Sequence, residues 1–334
     1  MNRKQLISLG FGLILGILLI LLWSRLVETE ELLFRFRSVL IRPVLIALAC
    51  YMLAYFIRSL RWYLLIGKSA RVGMFRVWSY SLTGNFVNYL IPIRLGEITK
   101  AWLLKERNQL PMPRSLSTIF IDKSFDTVGI FLALVLLPFL RVRFTGGMVI
   151  LLGVLALIFA VSLVLLLLAV KRKHNVIAVL QALFKWLPFR LRSKLNGYIE
   201  LFVQGLNIFD HHWSRLLVAL GLTILGVLLD GLYFWLIFSA FGLSYSFAMV
   251  LFGYTLINLS YALPQPPAQL GSNEWMMIII FSAGFGLTKA DASAVMAFAH
   301  LLTAAVILIS GVLSLSLNGS QIMRKIFKGE DLYE

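Results

Sequence analysis

Residues 85–97 (NFVNYLIPIRLGE) and residues 258–274 (NLSYALPQPPAQLGSNE) follow one pattern: an asparagine, an apolar turn, proline, Leu-Gly and a glutamate. Both stretches lie within long apolar segments, which their asparagine, proline and glutamate residues interrupt. Irregular, polar backbone is tolerated at membrane depth only where protein or a water-filled cavity encloses it. The pattern therefore predicts two re-entrant or broken helical hairpins, at residues 77–107 and 247–287.

The composition of the chain indicates a bilayer rather than water as its solvent. Hydrophobic residues make up 60% of the 334 residues, charged residues make up 14%, and the mean hydropathy is +0.88. Water-soluble domains are less apolar, and a helix of about 20 apolar residues crosses a bilayer core. We therefore predict an all-α, polytopic integral membrane protein with one membrane domain over residues 1–334. About six full spans are expected, at residues 6–23, 43–66, 115–139, 148–170, 215–241 and 290–317.

The lysines and arginines predict how the spans are oriented. A net charge of +16 would favour nucleic acid in a soluble protein, but these cations lie between apolar spans, so we expect no nucleic-acid partner. Cytoplasmic loops are enriched in lysine and arginine, which places both termini and the basic segment at residues 171–213 in the cytoplasm. This segment reads as an amphipathic linker lying on an anionic leaflet. The expected location is the cytoplasmic (inner) membrane of a bacterium or archaeon.

The linker divides the chain into a first half, residues 6–170, and a second half, residues 214–318. With the N-terminus inside, the first hairpin starts and ends on the cytoplasmic side, and the second starts and ends outside. Halves that share a motif but enter from opposite faces are typical of inverted repeats, whose substrate site lies near the midplane. The alternative is that proline and glycine simply cap ordinary helices at the interface.

Three parts of the sequence resemble the flippase-like membrane region of the lysylphosphatidylglycerol synthetase family. They are the block from Gly84 to Glu97, the later Asp122-Lys123-x-x-Asp126, and Pro266-Pro267 followed by Leu-Gly and Glu274. The resemblance covers most of the chain. It implies two re-entrant hairpins and translocation of aminoacylated phospholipids, other phospholipids, hopanoids or polyprenyl-linked sugars. The aminoacyl transferase domain of bifunctional members is expected to be missing. This sequence departs from the pattern at His300, where arginine is commoner, and at residues 265–269, where a glycine-rich turn is expected.

Ionisable residues inside a membrane normally face a partner or a wet cavity, because a lone charge in hydrocarbon is costly. Arg94 and Glu97 lie at the bend of the first hairpin, where we expect the arginine to bind a headgroup phosphate and the glutamate an amine or a proton. Glu274 is the counterpart of Glu97 and is expected to act as a gate or headgroup contact. For both glutamates, the alternative is a carboxylate that stabilises a helix N-terminus.

A second group of candidates lies within the apolar spans. The spacing of Asp122 and Asp126 places both carboxylates on one helical face, while Lys123 points elsewhere and is expected to pair with Glu97. A purely structural ion-pair network is the alternative, and no third ligand for a metal is apparent. Asp230 is expected to pair with Lys123 or with hairpin backbone.

His300 is expected either to carry a proton or to serve as a packing donor. Neutral hydrogen-bonding side chains surround the two breaks and either line the pathway or hold helices together. The neutral candidates are Asn85, Asn88, Asn258 and Gln269.

These features favour a lipid transporter or flippase that moves a phospholipid or lipid-linked headgroup between leaflets, without enzyme activity and without a cofactor or metal. The expected partners are membrane lipids, namely an anionic or aminoacylated phospholipid or a polyprenyl-linked lipid. A homo-oligomer is a further option. One alternative is an intramembrane lipid-modifying enzyme, although the sequence shows no Ser/His/Asp grouping, histidine-rich set or nucleotide loop. The other is a lipid-binding partner of a lipid-synthesis enzyme.

Overall fold

The structure, a computed structural model, describes residues 3–25, 28–91, 95–134, 213–261 and 265–318, with isolated positions between 153 and 201. The expected span at residues 148–170 and nearly all of the linker at 171–213 lie outside the described residues. Arg94 and the tail after residue 318 lie outside them as well.

All secondary structure in the described part of the chain is helical, which confirms the predicted all-α membrane class. The first half contains α1 (Arg3–Ser24), α2 (Thr29–Arg37), α3 (Ile41–Ile66), α4 (Met74–Leu90), α5 (Leu95–Asn108) and α6 (Met112–Leu134). The second half contains α7 (Trp213–Ala240), α8 (Phe247–Ser260), α9 (Ser272–Met277), a π-helical segment (Ile278–Ser282), α10 (Ala283–Phe285) and α11 (Lys289–Asn318).

Three of the described helices are long and apolar enough to cross a membrane, namely Ile41–Ile66, Ser214–Ala240 and Lys289–Asn318. Their outward faces carry exposed aliphatic side chains, such as Ile309 and Val312 on α11, as a lipid-facing surface requires. Helix α3 packs against α7 in the most extensive helix–helix contact of the described chain. This pair forms the centre of the molecule, and the hairpins pack around it.

The first hairpin consists of α4 and α5, and two glycines set how closely these helices pack. A Cβ atom added to Gly96 would lie 2.0 Å from the carbonyl oxygen of Gly84. Only glycine allows such a close backbone approach. The glycines therefore hold the two helices against each other directly behind the bend.

The second hairpin runs from α8 through a 3₁₀ turn (Pro267–Gln269) into α9. Where a glycine-rich turn was expected, Ala268 and Gln269 adopt left-handed backbone conformations with φ of 53° and 56°. This region is disfavoured for residues that carry a Cβ. The turn is therefore a strained segment that other contacts must hold in place.

Helix α2 is an element that the sequence reading treated as loop. Glu30 and Glu31 occupy its first turn and Arg35 and Arg37 its last, which is the charge order that the helix dipole favours. Arg35 also forms ion pairs with Glu31 and with Asp291 at the start of α11. The helix is short and amphipathic and contains no long apolar run, so a search for apolar spans does not detect it in the sequence.

Contacts at the two ends of the bundle join segments that the predicted topology places on the same side of the membrane. At one end Arg35 contacts Asp291, and the amide of Leu40 donates to the carbonyl of Ala240. At the other end Arg107, near the end of α5, donates to the carbonyl of Asn318 at the end of α11. These are the segments that the predicted topology places together on opposite sides of the membrane.

Candidate functional site

Arg61 is the most buried charged side chain at the first hairpin, with 1% of its surface exposed. Its Nε donates to Asp122 Oδ1 at 2.7 Å, and its Nη2 donates to Asp126 Oδ1 at 2.6 Å. Its Nη1 donates to the hydroxyl of Thr223 at 2.9 Å. One guanidinium thus joins α3 to α6 and α7, and the two carboxylates face one cation, as their shared helical face predicts.

Arg61 was not among the residues singled out from the sequence. It lies together with Arg58 in the second part of an apolar span, shortly before the basic residues that follow the span. The criterion applied to Asp122, an ionisable residue within an apolar helix, would have selected Arg61 as well.

Lys123 and Glu97 are brought together as predicted, with 3.9 Å between Nζ and Oε1. Lys123 also donates to Asp126 Oδ2 at 3.3 Å. The side chains of Lys123 and Glu97 are 45% and 21% exposed, in contrast to the buried Arg61. Lys123 is therefore the most exposed charge of the site, and it lies beside a partly exposed carboxylate.

Asn88 fixes the position of Glu97 at the bend of the hairpin. Its Nδ2 donates to both carboxylate oxygens, at 3.1 and 3.0 Å, and its Oδ1 accepts from the amide of Gly96 at 2.7 Å. One side chain thereby satisfies a backbone donor at the start of α5 and orients the carboxylate. The predicted involvement of Asn88 at the break is thus visible as a contact, while its role with a substrate stays a prediction.

Lys100 is a second cation that the sequence reading did not select. It is 7% exposed, its ammonium lies 5.5 Å from the centroid of the Trp62 ring, and its stem contacts Gly84. A cation above an indole face is attracted by the ring quadrupole. Lys100 was hidden in the sequence because α5 ends in exposed basic residues and reads as an ordinary amphipathic helix.

Asp230 is held by Arg58, which donates to both of its carboxylate oxygens. The prediction had named Lys123 or hairpin backbone as its partner, and the hydrogen-bonding partner in the structure is Arg58 instead. The correction has a packing cause: α3 and α7 lie side by side, so the nearest cation to Asp230 comes from α3.

These residues form one charged group, which we call the first-hairpin cluster. It combines four cations with four carboxylates, so each buried charge has compensation nearby. Its members are Arg58, Arg61, Lys100, Lys123, Glu97, Asp122, Asp126 and Asp230.

The second hairpin carries a smaller group. The Nδ1 of His300 lies 2.6 Å from Glu274 Oε1, and its Nε2 lies 2.8 Å from the carbonyl oxygen of Ala268 in the strained turn. The hydroxyl of Tyr89, from the first hairpin, lies 3.4 Å from the same Nε2. Glu274 and His300 are both buried. Two residues that the sequence analysis selected separately therefore meet, and His300 contacts the turn backbone directly.

The two glutamates repeat one relationship. Glu97 and Lys123 are separated by 26 residues along the chain, and so are Glu274 and His300. In both halves, a glutamate at the start of the helix after the bend pairs with a cationic or titratable residue on the long helix that follows. This agreement supports the interpretation of the two motifs as repeats.

The neutral candidates occupy different places. Asn85 faces a small cavity that Tyr51, Tyr55 and Ser310 also line. Gln269 accepts a hydrogen bond from Asn273 at 3.1 Å and so helps to hold the turn. Asn258 is half-buried near the end of α8.

The part of the chain that the structure describes contains no group of three or more His, Cys, Asp or Glu side chains arranged to hold a metal ion. The charged side chains of these two sites can bind a phosphate or an ammonium and can hold a proton.

The profile of the family "Lysylphosphatidylglycerol synthase TM region" matches residues 6–311. The chain belongs to this family. A UPF0104 membrane protein of Methanocaldococcus jannaschii is 26% identical over 199 residues, which cover 58% of this chain and 78% of the relative. A UPF0104 membrane protein of Methanothermobacter thermautotrophicus is 28% identical over 253 residues, covering 71% and 72% of the two chains. No solved structure matches the chain.

Membership in this family confirms the resemblance found in the sequence and ties the protein to lipid metabolism or transport. It also agrees with a multi-pass membrane protein, and relatives occur in archaea.

Proposed function

We propose that the protein is a lipid transporter that moves a headgroup between the two leaflets, rather than an enzyme that modifies it. The observation that carries the proposal is the exposed end of the first-hairpin cluster. There Lys123 and Glu97 offer opposite charges 3.9 Å apart, while Arg61 and Asp122 form a buried ion pair behind them.

A polar headgroup crosses hydrocarbon only if something replaces its lost water. In the proposed mechanism Lys123 binds the phosphate as a point charge and Glu97 binds an amine or hydroxyl donor of the headgroup. Asn88 and Arg61 hold Glu97 and Asp126 in place, so the site does not have to rearrange when a headgroup arrives. The acyl tails stay in the bilayer throughout.

The proposal extends to the location and partners of the protein. We place it in the cytoplasmic membrane of a bacterium or archaeon, with both termini in the cytoplasm and the two hairpins re-entrant from opposite faces. The positive charge bias and the archaeal relatives support this arrangement. The substrates we propose are an anionic or aminoacylated phospholipid or a polyprenyl-linked lipid, because each carries a phosphate for Lys123.

The test is lipid movement in liposomes that contain the purified protein and a fluorescent lipid whose outer-leaflet copies are bleached by a membrane-impermeant reductant. Glu97→Gln and Lys123→Gln each remove one charge-assisted contact, of about 1.5–3 kcal/mol, so transport should slow by about 10- to 100-fold. The matched controls are Glu106→Gln, exposed on the same helix α5, and Lys289→Gln, exposed at the start of α11. Both controls should move lipid at the wild-type rate.

Wild-type transport by Glu97→Gln and Lys123→Gln across phosphatidylethanolamine, phosphatidylglycerol, an aminoacylated phosphatidylglycerol and a polyprenyl phosphate would overturn the assignment of the site. Mass spectrometry of the same liposomes gives the second readout. A chemically altered lipid there would identify an enzyme instead of a transporter.

A further inference from the structure

We infer that His300, Glu274 and the carbonyl of Ala268 form a one-proton latch that fastens the turn of the second hairpin to α11 and releases it when the proton leaves. The inference deepens the proposed function by naming how the second hairpin is regulated, and it rests on that function for its consequence. The latch itself is a property of the fold and is tested without lipid movement.

The first step concerns the Nε2 atom of His300. It lies 2.8 Å from the carbonyl oxygen of Ala268, and a carbonyl can only accept a hydrogen bond. Nε2 must therefore carry a hydrogen. Since a neutral imidazole has only one N–H, the other nitrogen of a neutral His300 would present a lone pair.

The second step concerns the other ring nitrogen. Nδ1 lies 2.6 Å from Glu274 Oε1, and two acceptors at that separation repel each other unless a proton lies between them. The proton belongs either to an imidazolium facing a carboxylate or to a carboxylic acid facing a neutral imidazole. Both descriptions contain the same single proton, and the observed geometry requires it.

Glu274 depends on this shared proton because its carboxylate has few other hydrogen-bond partners. Its other oxygen, Oε2, is buried and makes no hydrogen bond within the described residues. The titratable groups that face the pair are tyrosines: Tyr89 from α4, Tyr261 after α8, and Tyr233 from α7, whose hydroxyl donates to the carbonyl of Ala299. No lysine or arginine in the described ranges forms an ion pair with Glu274, so the partner charge is that of His300 alone.

The strained backbone of the turn favours opening of the latch. Ala268 and Gln269 both have positive φ values, which residues with a Cβ rarely adopt without support. When the shared proton passes to water, His300 keeps only its Nε2 hydrogen, and Nδ1 and the carboxylate repel each other. The ring then moves, the Ala268 carbonyl loses its donor, and the turn can relax.

Histidine is what makes this latch titratable. A permanently charged arginine at the same position would hold the carboxylate at every physiological pH, whereas histidine changes charge within that range. The second hairpin is thus closed when protonated and open when deprotonated, which couples access at this end of the proposed pathway to a proton.

The test measures how readily the turn is labelled. In a Cys50→Ser background, which removes the buried native cysteine, Ala268→Cys places a thiol on the turn and keeps the carbonyl of the latch. The purified protein in nanodiscs reacts with a maleimide from about pH 6 to about pH 8, the range that brackets an ordinary histidine. The rate at each pH is divided by that of the same cysteine in a His300→Arg protein, which cancels the ionisation of the thiol.

The ratio should rise with pH, by up to about tenfold per pH unit, because one proton closes the latch. A ratio that does not change with pH overturns the inference. Glu274→Gln is the second variant: its amide can donate to Nδ1 of a neutral His300, so it should label slowly at every pH. Labelling of Glu274→Gln that follows pH as the wild-type histidine does also overturns it.

Failure of the latch and failure of the proposed function leave different signatures. Labelling that follows pH in a protein that moves no lipid contradicts the transport proposal and leaves the latch standing. Lipid movement by a protein whose labelling rate does not change with pH contradicts the latch and leaves the transport proposal standing.

Discussion

The two hairpins hold corresponding glutamates by different means. At the first, Glu97 is bound by the amide of Asn88 and lies beside Lys123, whose charge is permanent at physiological pH. At the second hairpin, Glu274 is bound by His300, and a histidine can gain or lose its charge within the physiological pH range. The same separation along the chain therefore supports a fixed charge pair in one half and a titratable pair in the other.

The difference extends to the helices behind the hairpins. In the register that aligns Asn85 with Asn258, before the two bends, Arg61 on α3 corresponds to Phe234 on α7. In the register that aligns Glu97 with Glu274, Asp126 corresponds to Thr303. The first half therefore surrounds its glutamate with charges, while Phe234 belongs to a buried aromatic group with Phe238 and Phe281. This asymmetry makes the first hairpin the headgroup site and the second the gate in the proposed mechanism.

The largest effect that would test this asymmetry is expected at Arg61. Arg61→Met leaves Asp122 and Asp126 without their buried cation, and breaking a buried ion pair in this way costs about 3–5 kcal/mol. The midpoint of thermal unfolding in detergent should fall sharply. The corresponding change in the other half, Phe234→Leu, exchanges one apolar side chain for another and should cost about 1 kcal/mol.

A compensating variant separates charge from packing. Arg61→Met combined with Asp122→Asn and Asp126→Asn removes the uncompensated carboxylates and should recover most of the lost stability. Equal losses of stability for Arg61→Met and Phe234→Leu would mean that the two halves do not differ in this respect.

An intermediate effect is expected where the first hairpin depends on close backbone contact. Gly96→Ala introduces a Cβ that would lie 2.0 Å from the Gly84 carbonyl oxygen, so α4 and α5 must separate. Overpacking of this kind costs about 1–3 kcal/mol, and thermal unfolding of the purified protein measures it. The second hairpin has Asn273 at the corresponding position and has no equivalent contact to lose.

The control for that change is Gly221→Ala within α7, where an added Cβ meets no atom within 4 Å. Alanine is a better helix former than glycine, so this variant should gain up to about 1 kcal/mol. If both alanine variants behave alike, the close approach of the two helices does not stabilise the hairpin.

The smallest effect is expected at the strained turn of the second hairpin. Ala268→Gly removes the Cβ from a left-handed residue and should stabilise the protein by about 0.5–1 kcal/mol, after allowing for the greater freedom of glycine in the unfolded chain. Gly271→Ala is the opposite change, at φ +77° and with Leu19 Cβ 2.4 Å from the added atom. A small rise in unfolding temperature for the first and a clear fall for the second are the expected results, and a fall for Ala268→Gly would contradict the assignment of strain.

Several contacts follow from the pattern of residue types. Lys123 was paired with Glu97 because a lysine within an apolar helix needs an opposite charge from another element, and the shared motif indicated which glutamate lay at the right depth. Glu274 and His300 were each selected from the sequence, but their contact was found only in the structure. Arg61 and Lys100 were missed because further basic residues follow each of them in the sequence, and cations in such a context usually face water or lipid headgroups.

By itself the sequence determined the helical membrane class, the breaks after α4 and α8, and the pairing of Glu97 with the helix that follows. These properties depend on hydrophobic length and on spacing within one half of the chain, which a linear pattern records. Only the tertiary structure decided that Arg58 meets Asp230 and that Arg61 joins three helices, because those partners lie far apart in sequence. Which helical faces meet depends on how α3, α6 and α7 pack together, and no local pattern contains that information.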